Sequence, residues 1–440
     1  MPTCNPHFVL PRIMVYSPHL MPTKTRLILL LVLAFLVACA PKSTPTPTPT
    51  DPSAQMDLIQ AQVAAIRSLP EPPSLSRQSL TPDELQKTVA TDFFADYTPS
   101  DAVKDARSLW LLGLLPKDFD LLDFYHKLYA EQIAGFYDDE KKAMFIVQGA
   151  DFNVLQRTTF AHEYTHAIQD FNFDFTDKLG YTDESCEEDS EKCAALQALI
   201  EGDATLTESL WFSAHNSSQD ITELQNYSLI SQSPVFDSAP AFMRENLTFP
   251  YFQGGAFVKS LHAQGGFAAI DRAFTTQPPL SSEHILHPSR YPDDHPLKVE
   301  LPDPLKLLGS DWQIREDNVI GEWFTWLLLA RGDQSDSRLN DTVASAAAEG
   351  WGGDRYLILE NPASREFALI LRYVWDTPAD QHEAANAFAD WLMLRFGEPS
   401  SDAIYKAQER FAALLPADNY FTLIFAENPN TLQTLIPLLK

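Results

Sequence analysis

The chain has 440 residues, of which 45% are hydrophobic and 11% aromatic, so it is long enough to bury a sizeable core in two or three domains. Its formal net charge is −28, and no lysine–arginine cluster interrupts the body of the sequence. Because phosphate contacts need a basic face, this balance argues against nucleic-acid binding. A large net negative charge helps a surface-exposed protein to stay soluble, and it disfavours the binding of anionic substrates.

The N-terminus predicts export and lipidation. Lys24 and Arg26 precede an apolar run over residues 27–38, which is too short to span a bilayer comfortably but suits the apolar region of a signal peptide. The sequence LVAC that ends at Cys39 matches a bacterial lipobox, in which Cys39 is lipidated and becomes the new N-terminus. The alternative is a soluble secreted protein that is cut close to this cysteine.

The segment around Cys39 sets the first boundaries of the chain. Residues 1–20 fit neither a signal peptide nor a domain, and a true start at Met21 would explain them. A Pro/Thr run after Cys39 is typical of an extended linker that holds the body away from a membrane. We therefore predict an extracytoplasmic protein, lipid-anchored to a bacterial cell membrane, with a leader and signal peptide over 1–38, a lipidated linker over 39–56, and two folded parts over 57–345 and 346–440.

The first folded part begins with helices and a hairpin. Residues 57–69 have a helical pattern, a second helix opens near Pro82, and helical patterns continue to about residue 134. Residues 135–147 then read as two short strands joined by a polar turn. Such a hairpin either holds a substrate backbone by strand addition or forms an ordinary part of the core.

The sequence His162-Glu163-Tyr164-Thr165-His166 follows, in a helix for which Asn153 is a plausible N-cap. On a helix the two histidines lie one above the other, so both imidazoles reach one ion. Glu163 sits about 100° further round and can contact a water molecule beside that ion. This is the arrangement of a zinc hydrolase, in which the ion acidifies a water molecule and the carboxylate takes its proton.

A strongly acidic stretch over residues 183–191 reads as a solvated loop, since it lacks the Asp/Asn-Gly ladder of a calcium-binding EF-hand. Within it, Cys186 and Cys193 are predicted to form a disulfide, because a close pair outside the cytoplasm normally oxidises. A helix is predicted over residues 191–213. Catalytic zinc usually takes three protein ligands, and Glu201 on this second helix is the favoured third.

The sequence pattern of the remaining residues indicates an α+β fold class. It contains a helix near residues 252–263, a histidine-rich loop over 278–296 and a helix over 317–331. After residue 346 the expected elements form a small α+β sandwich for support or recognition. They are strands over 355–360, 367–375 and 420–426, helices over 377–395 and 401–415, and a closing helix from residue 430.

The motifs resemble those of a known enzyme group. The segment HEYTHAIQD is similar to the active-site helix of thermolysin-like peptidases. Together with GFYD, EGDAT and PPLSSEHILHPSRY, it resembles a family of bacterial and archaeal metallopeptidases related to gluzincins, over roughly residues 125–375. The resemblance implies a mostly helical zincin-like domain with an edge hairpin. It also implies that His162, His166 and Glu201 bind zinc and that Glu163 is the general base.

Two parts of the predicted site remain open. Thermolysin-like enzymes place an aspartate four residues after the ligand glutamate; here that position is Thr205, and the role of Asp203 in supporting a ligand is uncertain. The donor that stabilises the oxyanion is either Tyr251, whose surroundings resemble the Pro-Tyr-x-x-Gly of gluzincin aminopeptidases, or His287.

The leading functional prediction is a membrane-tethered zinc metallopeptidase that hydrolyses peptide bonds in a peptide or protein substrate. One alternative is a zinc hydrolase of non-peptide amides or esters, which would use the same chemistry. Another is a non-catalytic surface protein that keeps a zincin-like fold for binding, although none of His162, Glu163 and His166 has been lost. No protein partner is evident from the sequence.

Overall fold

The computed structural model describes residues 51–89, 91, 94, 97–147, 152–230, 233–400 and 403–439. Cys39, the signal-peptide segment and most of the linker lie outside the described residues, so lipidation and the start at Met21 remain predictions. Within the described part of the chain, no helix combines the length and apolar character needed to cross a membrane.

The first two-thirds of the described chain are mainly helical, as the sequence predicts. The α1 helix starts after the cap of Asp51 and ends at Arg67. The helices of this part are α1 Pro52–Arg67, α2 Pro82–Thr88, α3 Pro99–Leu112, α4 Leu121–Gln132, α5 Val154–Phe173, α6 Asp183–Glu188, α7 Ser190–His215, α8 Ser218–Ile230, α9 Pro234–Ser238, α10 Ala241–Gly265, α11 Phe267–Thr275, α12 Ser282–Leu286 and α13 Leu305–Leu308.

The predicted hairpin over residues 135–147 is confirmed as part of a small three-stranded sheet. Strand β2, Gly135–Asp138, pairs antiparallel with β3, Ala143–Val147. Strand β1, Ser76–Leu80, which the sequence did not predict, pairs parallel with β3 on its other side. The strand order β1-β3-β2 therefore leaves β2 at an edge.

The acidic stretch over residues 183–191 is not the solvated loop that the sequence predicted. It forms the short α6 helix and the first turn of α7, and the Cys186–Cys193 disulfide joins the two helices across a Cα–Cα distance of 5.4 Å. Glu191 is buried, and its carboxylate accepts hydrogen bonds from the backbone N–H and the hydroxyl of Ser282, both at 2.6 Å.

The last third of the chain contains a six-stranded antiparallel sheet in the order β4-β5-β6-β9-β8-β7. Helices α14, α15 and α16 connect or cover its strands, and α17 closes the chain. These elements are β4 Gln313–Asn318, α14 Gly321–Ala330, α15 Asp341–Ala348, β5 Trp351–Asn361, β6 Glu366–Trp375, α16 Pro378–Phe396, β7 Ile404–Ala407, β8 Arg410–Pro416, β9 Phe421–Ala426 and α17 Pro429–Leu439.

One predicted helix is wrong, and another starts later than predicted. A helix is predicted over residues 401–415, but the described residues from Ile404 onward form the β7–β8 hairpin, although the alanine, lysine and glutamine residues there favour a helix. Pairing of β8 with β9 in the buried sheet overrides that preference, and Gln408 takes a positive φ in the turn. The helix predicted from residue 317 starts only at Gly321, because the residues before it pair with β5 as β4.

The six-stranded sheet is buried on both faces, and alternate residues of β5 show this directly. Tyr356 and Ile358 pack into the large core that also contains α3, α7, α10, α14 and α16. Leu357 and Leu359 face the other way and pack against α17 through Leu432 and Leu435. The observed fold class is therefore mixed α+β, and the predicted boundary at residue 346 falls after the first strand of this sheet.

A buried aspartate joins β5 to the start of α14. The Asp354 carboxylate accepts hydrogen bonds from the backbone N–H groups of Ile320 and Gly321 at 2.7 and 2.8 Å, and from the indole N–H of Trp351 at 2.8 Å. Since a helix N-terminus carries unpaired N–H donors, this carboxylate satisfies two of them.

Candidate metal centre

The α5 helix contains the His-Glu motif, and the motif residues are buried. Its N-cap is Asn153, as predicted: the Asn153 side chain accepts a hydrogen bond from the Gln156 backbone N–H, and the Gln156 side-chain oxygen accepts one from the Asn153 backbone N–H. His162, Glu163 and His166 are each at most 1% exposed. Burial of polar groups to this degree requires specific partners, which the neighbouring α7 helix supplies.

Glu201 on α7 meets both histidines, as the sequence expected. Its Oε2 lies 3.1 Å from His162 Nε2 and 3.5 Å from His166 Nε2. His162, His166 and Glu201 each offer one ligand atom, and these three atoms lie within 4.8 Å of one another. Four tetrahedral bonds of about 2.0–2.1 Å would place neighbouring ligand atoms about 3.3 Å apart, so the observed distances suit a single zinc ion.

Glu208 contacts and orients His162, and the sequence analysis did not predict this contact. Its Oε2 lies 3.1 Å from His162 Nδ1. A carboxylate accepts the Nδ1–H, so Nε2 is the nitrogen that faces Glu201 and is available to a metal. Burial lowers the pKa of His162, but the hydrogen bonds to Glu201 and Glu208 outweigh it and hold this pKa above its usual value. Glu208 lies seven positions after Glu201, on the same face of α7.

His166 is oriented by a different chain of hydrogen bonds. Gln169 Nε2 donates to the Ile200 carbonyl at 3.1 Å and to Asp203 Oδ2 at 2.8 Å. Gln169 Oε1 therefore faces His166 Nδ1, at 2.9 Å, and accepts its proton. Asp203 is thus linked to His166 through Gln169.

Glu163 is the acidic residue beside the ligand atoms. Its Oε2 accepts a hydrogen bond from the Tyr137 backbone N–H of the edge strand β2, at 2.9 Å. Burial raises the pKa of Glu163 to about 7, although the nearby charges of His166 and His162 oppose the shift. A divalent ion at the ligand atoms would lower this pKa, so Glu163 would be ionised and able to accept a proton at neutral pH.

Three unpartnered atoms indicate a cation. Glu163 Oε1, His166 Nε2 and Glu201 Oε1 are among the buried side-chain atoms of the described residues that have no hydrogen-bond partner, and all three belong to this centre. Leaving such groups unpaired costs about 1–3 kcal/mol each. A cation would satisfy His166 Nε2 and Glu201 Oε1 directly, since both are electron-pair donors, and a water molecule bound to the cation could donate to Glu163 Oε1. The donor set of two imidazoles and one carboxylate is the set that catalytic zinc prefers.

The comparisons with known proteins concern another part of the chain. A family model described as a domain of unknown function, DUF8575, matches residues 311–431. The match covers the six-stranded sheet and does not reach α5 or α7. Comparison with curated proteins gave no significant match, and neither did comparison with solved structures.

Tyr251 lies at the metal centre because two helices approach closely. A Cβ added to Gly202 would lie 2.3 Å from the Gly254 carbonyl oxygen, and one added to Gly254 would lie 2.1 Å from the Ala198 carbonyl oxygen. The backbones of α7 and α10 are thus in direct contact, one helical turn from Tyr251. The Tyr251 ring centroid is 6.3 Å from that of His162, and its hydroxyl interacts with the Glu201 carboxylate. Burial raises the pKa of Tyr251 well above its usual value, so the hydroxyl keeps its proton.

His287, the other predicted oxyanion donor, faces a different group. Its Nε2 lies 2.8 Å from Glu322 Oε1 on α14. Next to it, Glu283, Asp294 and Asp376 also form an acidic group with metal-like spacing. Arg290 already lies among these carboxylates, bonded to Glu283 and 3.1 Å from Asp376, so its guanidinium supplies the positive charge there.

Proposed function

We propose that this protein is a zinc-dependent metallopeptidase with a zincin-like catalytic domain. The observation that carries the proposal is the convergence of His162 Nε2, His166 Nε2 and the Glu201 carboxylate, with Glu163 beside them. These three residues would hold the ion. When bound, zinc would polarise the scissile carbonyl and lower the pKa of a water molecule.

The chain's own residues have distinct roles in this proposal. Glu163 accepts a proton from the attacking water and passes it to the leaving amine. Tyr251 keeps its proton because desolvation and the nearby carboxylates of Glu201 and Glu163 raise its pKa, and its hydroxyl donates to the oxyanion that forms on the carbonyl oxygen. Glu208 and Gln169 keep both imidazoles in the Nδ1–H form, so neither ring has to reorient.

The edge strand β2 supports a peptide substrate. Among the strands of the described residues it pairs with β3 alone, and its Tyr137 backbone N–H donates to Glu163. An extended peptide that aligns with this edge would place its carbonyl group beside Glu163. We therefore favour a role in substrate binding for this hairpin over a purely structural one.

Peptide cleavage in a mixed library is the direct test of the proposal. The purified protein should cleave peptides, and a chelator should stop cleavage until zinc is restored, with the products identified by mass spectrometry. Zinc-dependent hydrolysis of ester or amide reporters without any peptide cleavage would support the non-peptide hydrolase instead. Absence of stoichiometric zinc in the metal-loaded protein would refute the metal site itself.

Replacing the oxyanion donor should separate Tyr251 from His287. Tyr251→Phe removes one hydroxyl and should lower kcat by about 10²–10³-fold with little change in KM, since the lost hydrogen bond forms mainly in the transition state. His287→Ala is the matched comparison and should keep a kcat close to that of the parent. The reverse order of effects would assign the oxyanion donor to His287.

We also propose that the protein is tethered to the outer face of the membrane through Cys39, as its lipobox indicates. Cys39→Ser should move the protein from the membrane fraction to the soluble fraction, because a lipid chain supplies the anchoring energy. The fractions are compared by immunoblotting. Retention of the variant on membranes would show a different anchor.

A further inference from the structure

Arg67, the last residue of α1, is a fully buried cation next to the metal centre. It is 0% exposed, and its Nε donates to Asp203 Oδ2 at 2.9 Å. Its Nη2 lies 2.7 Å from Asp271 Oδ1 on α11. Phe173 and Phe267 cover its guanidinium, with ring centroids at 5.8 and 4.7 Å. One side chain of an N-terminal helix therefore contacts both α7 and α11 in the interior.

The hydrogen bonds that lead from Arg67 to the site have a fixed direction. Arg67 has only donors, so Asp203 Oδ2 accepts from it and also from Gln169 Nε2. Because the Gln169 amide is held with its nitrogen towards Asp203, its oxygen must face His166 Nδ1. His166 consequently keeps its proton on Nδ1 and its lone pair on Nε2. A reversed amide would present N–H to Nδ1 and favour the tautomer that cannot bind a metal through Nε2.

A contribution to folding stability alone does not explain the buried ion pair between Arg67 and Asp203. Moving an arginine and an aspartate out of water costs several kcal/mol, and a well-packed apolar pair is often as stable as a buried ion pair. The Asp203 carboxylate, however, also accepts a hydrogen bond from the Gln169 side chain, and that contact depends on the orientation of the carboxylate. Arg67 supplies both the compensating charge and the orientation.

We infer that Arg67 is a positioning residue for the metal centre, and that docking of α1 fixes the His166 tautomer through Asp203 and Gln169. The inference rests on the proposed zinc site. Under this inference, the residues that support the metal centre include one from α1, the first helix of the described chain. Zinc affinity should therefore depend on a residue that has no contact with any predicted ligand.

The test is a double-mutant cycle on zinc affinity, measured by competition with a chromophoric chelator. Gln169→Leu should weaken zinc binding by about 10–100-fold, as loss of a ligand's hydrogen-bond partner usually does. Arg67→Met should weaken it by about 2–30-fold. The double variant should bind zinc no more weakly than Gln169→Leu alone, because Arg67 acts only through Gln169. The visible spectrum of the cobalt-substituted protein should change in both single variants.

A matched control comes from Arg77, an arginine that pairs with a different residue of α1. Arg77 forms an ion pair with Asp57 at 2.7 Å on the exposed side of this helix, so Arg77→Met should leave zinc affinity unchanged. If Arg67→Met does not fold, as circular dichroism would show, Arg67→Lys takes its place, since lysine keeps the charge but lacks the planar fork.

Two results would overturn the inference. One is a folded Arg67 variant that binds zinc as tightly as the Arg77→Met control. The other is an Arg67→Met substitution that weakens zinc binding by the same factor in the Gln169→Leu variant as in the parent. That result would show that Arg67 acts by another route. In both cases the parent binds zinc, so the proposed function survives. A parent that binds no zinc would instead refute the proposed function and this inference together.

Discussion

Glu163→Gln is expected to lower the rate of peptide hydrolysis by about 10²–10⁴-fold while the protein keeps its zinc. Glu163 is not among the three predicted ligands, so two imidazoles and one carboxylate still hold the ion. The change removes the base that accepts the proton of the attacking water. Glutamine is nearly isosteric, and its Oε1 can still accept the hydrogen bond from the Tyr137 backbone N–H.

Two comparisons make this result interpretable. His162→Ala should lose both zinc and activity, because it removes a ligand. Glu349→Gln, at a side chain that is 59% exposed, should retain both. Zinc content is measured by elemental analysis, and activity is measured as the rate of cleavage of a peptide found in the library screen. If Glu163→Gln cleaves that peptide as fast as the parent, Glu163 is not the general base.

Gly254→Ala is expected to destabilise the protein by about 1–3 kcal/mol or more. The new methyl group would lie 2.1 Å from the Ala198 carbonyl oxygen and 3.0 Å from the Ala198 Cα, so α7 and α10 would have to move apart. Backbone atoms in a packed helix pair cannot rotate away as a side chain can. Separation of these helices would also move Tyr251 away from Glu201.

The neighbouring glycine is a matched control for this effect. A Cβ at Gly255 would meet only Thr205 Cγ2, at 3.8 Å, which is an ordinary contact. Gly255→Ala should therefore be neutral or stabilising by up to about 1 kcal/mol, since alanine favours a helix over glycine. Both variants are compared by denaturant unfolding of the metal-free protein. Equal stabilities of the two variants would mean that α7 and α10 do not cross at Gly254.

Much of the candidate site could be predicted because it depends on local spacing. The separation between His162 and His166 is set by the helical repeat, and Asn153 caps the helix through its own next turn. Glu201 was identified because it lies on the next long helix, which must pack nearby. The hairpin over residues 135–147 had a polar turn between two apolar runs. Each of these signals lies within a short stretch of chain.

The supporting contacts could not be predicted because they join distant segments. Arg67 and Asp203 are 136 positions apart, and nothing in the composition of either segment connects them. The i, i+7 spacing of Glu201 and Glu208 was a usable signal, since it places both carboxylates on one face of α7. The β7–β8 hairpin was missed for a related reason. Its residues favour a helix locally, and only pairing with β9 makes it a strand pair.

The position of β4 determines where this chain can be divided. A fragment that begins at residue 346 would lack β4, so the long strand β5 would expose its unpaired N–H and C=O groups to other molecules. The Asp354 carboxylate would lose two of its three hydrogen-bond donors, the backbone N–H groups of Ile320 and Gly321, and would keep only the Trp351 indole N–H. Such a fragment would tend to aggregate, whereas one that begins at residue 311, where the family match starts, would retain both the strand and the donors.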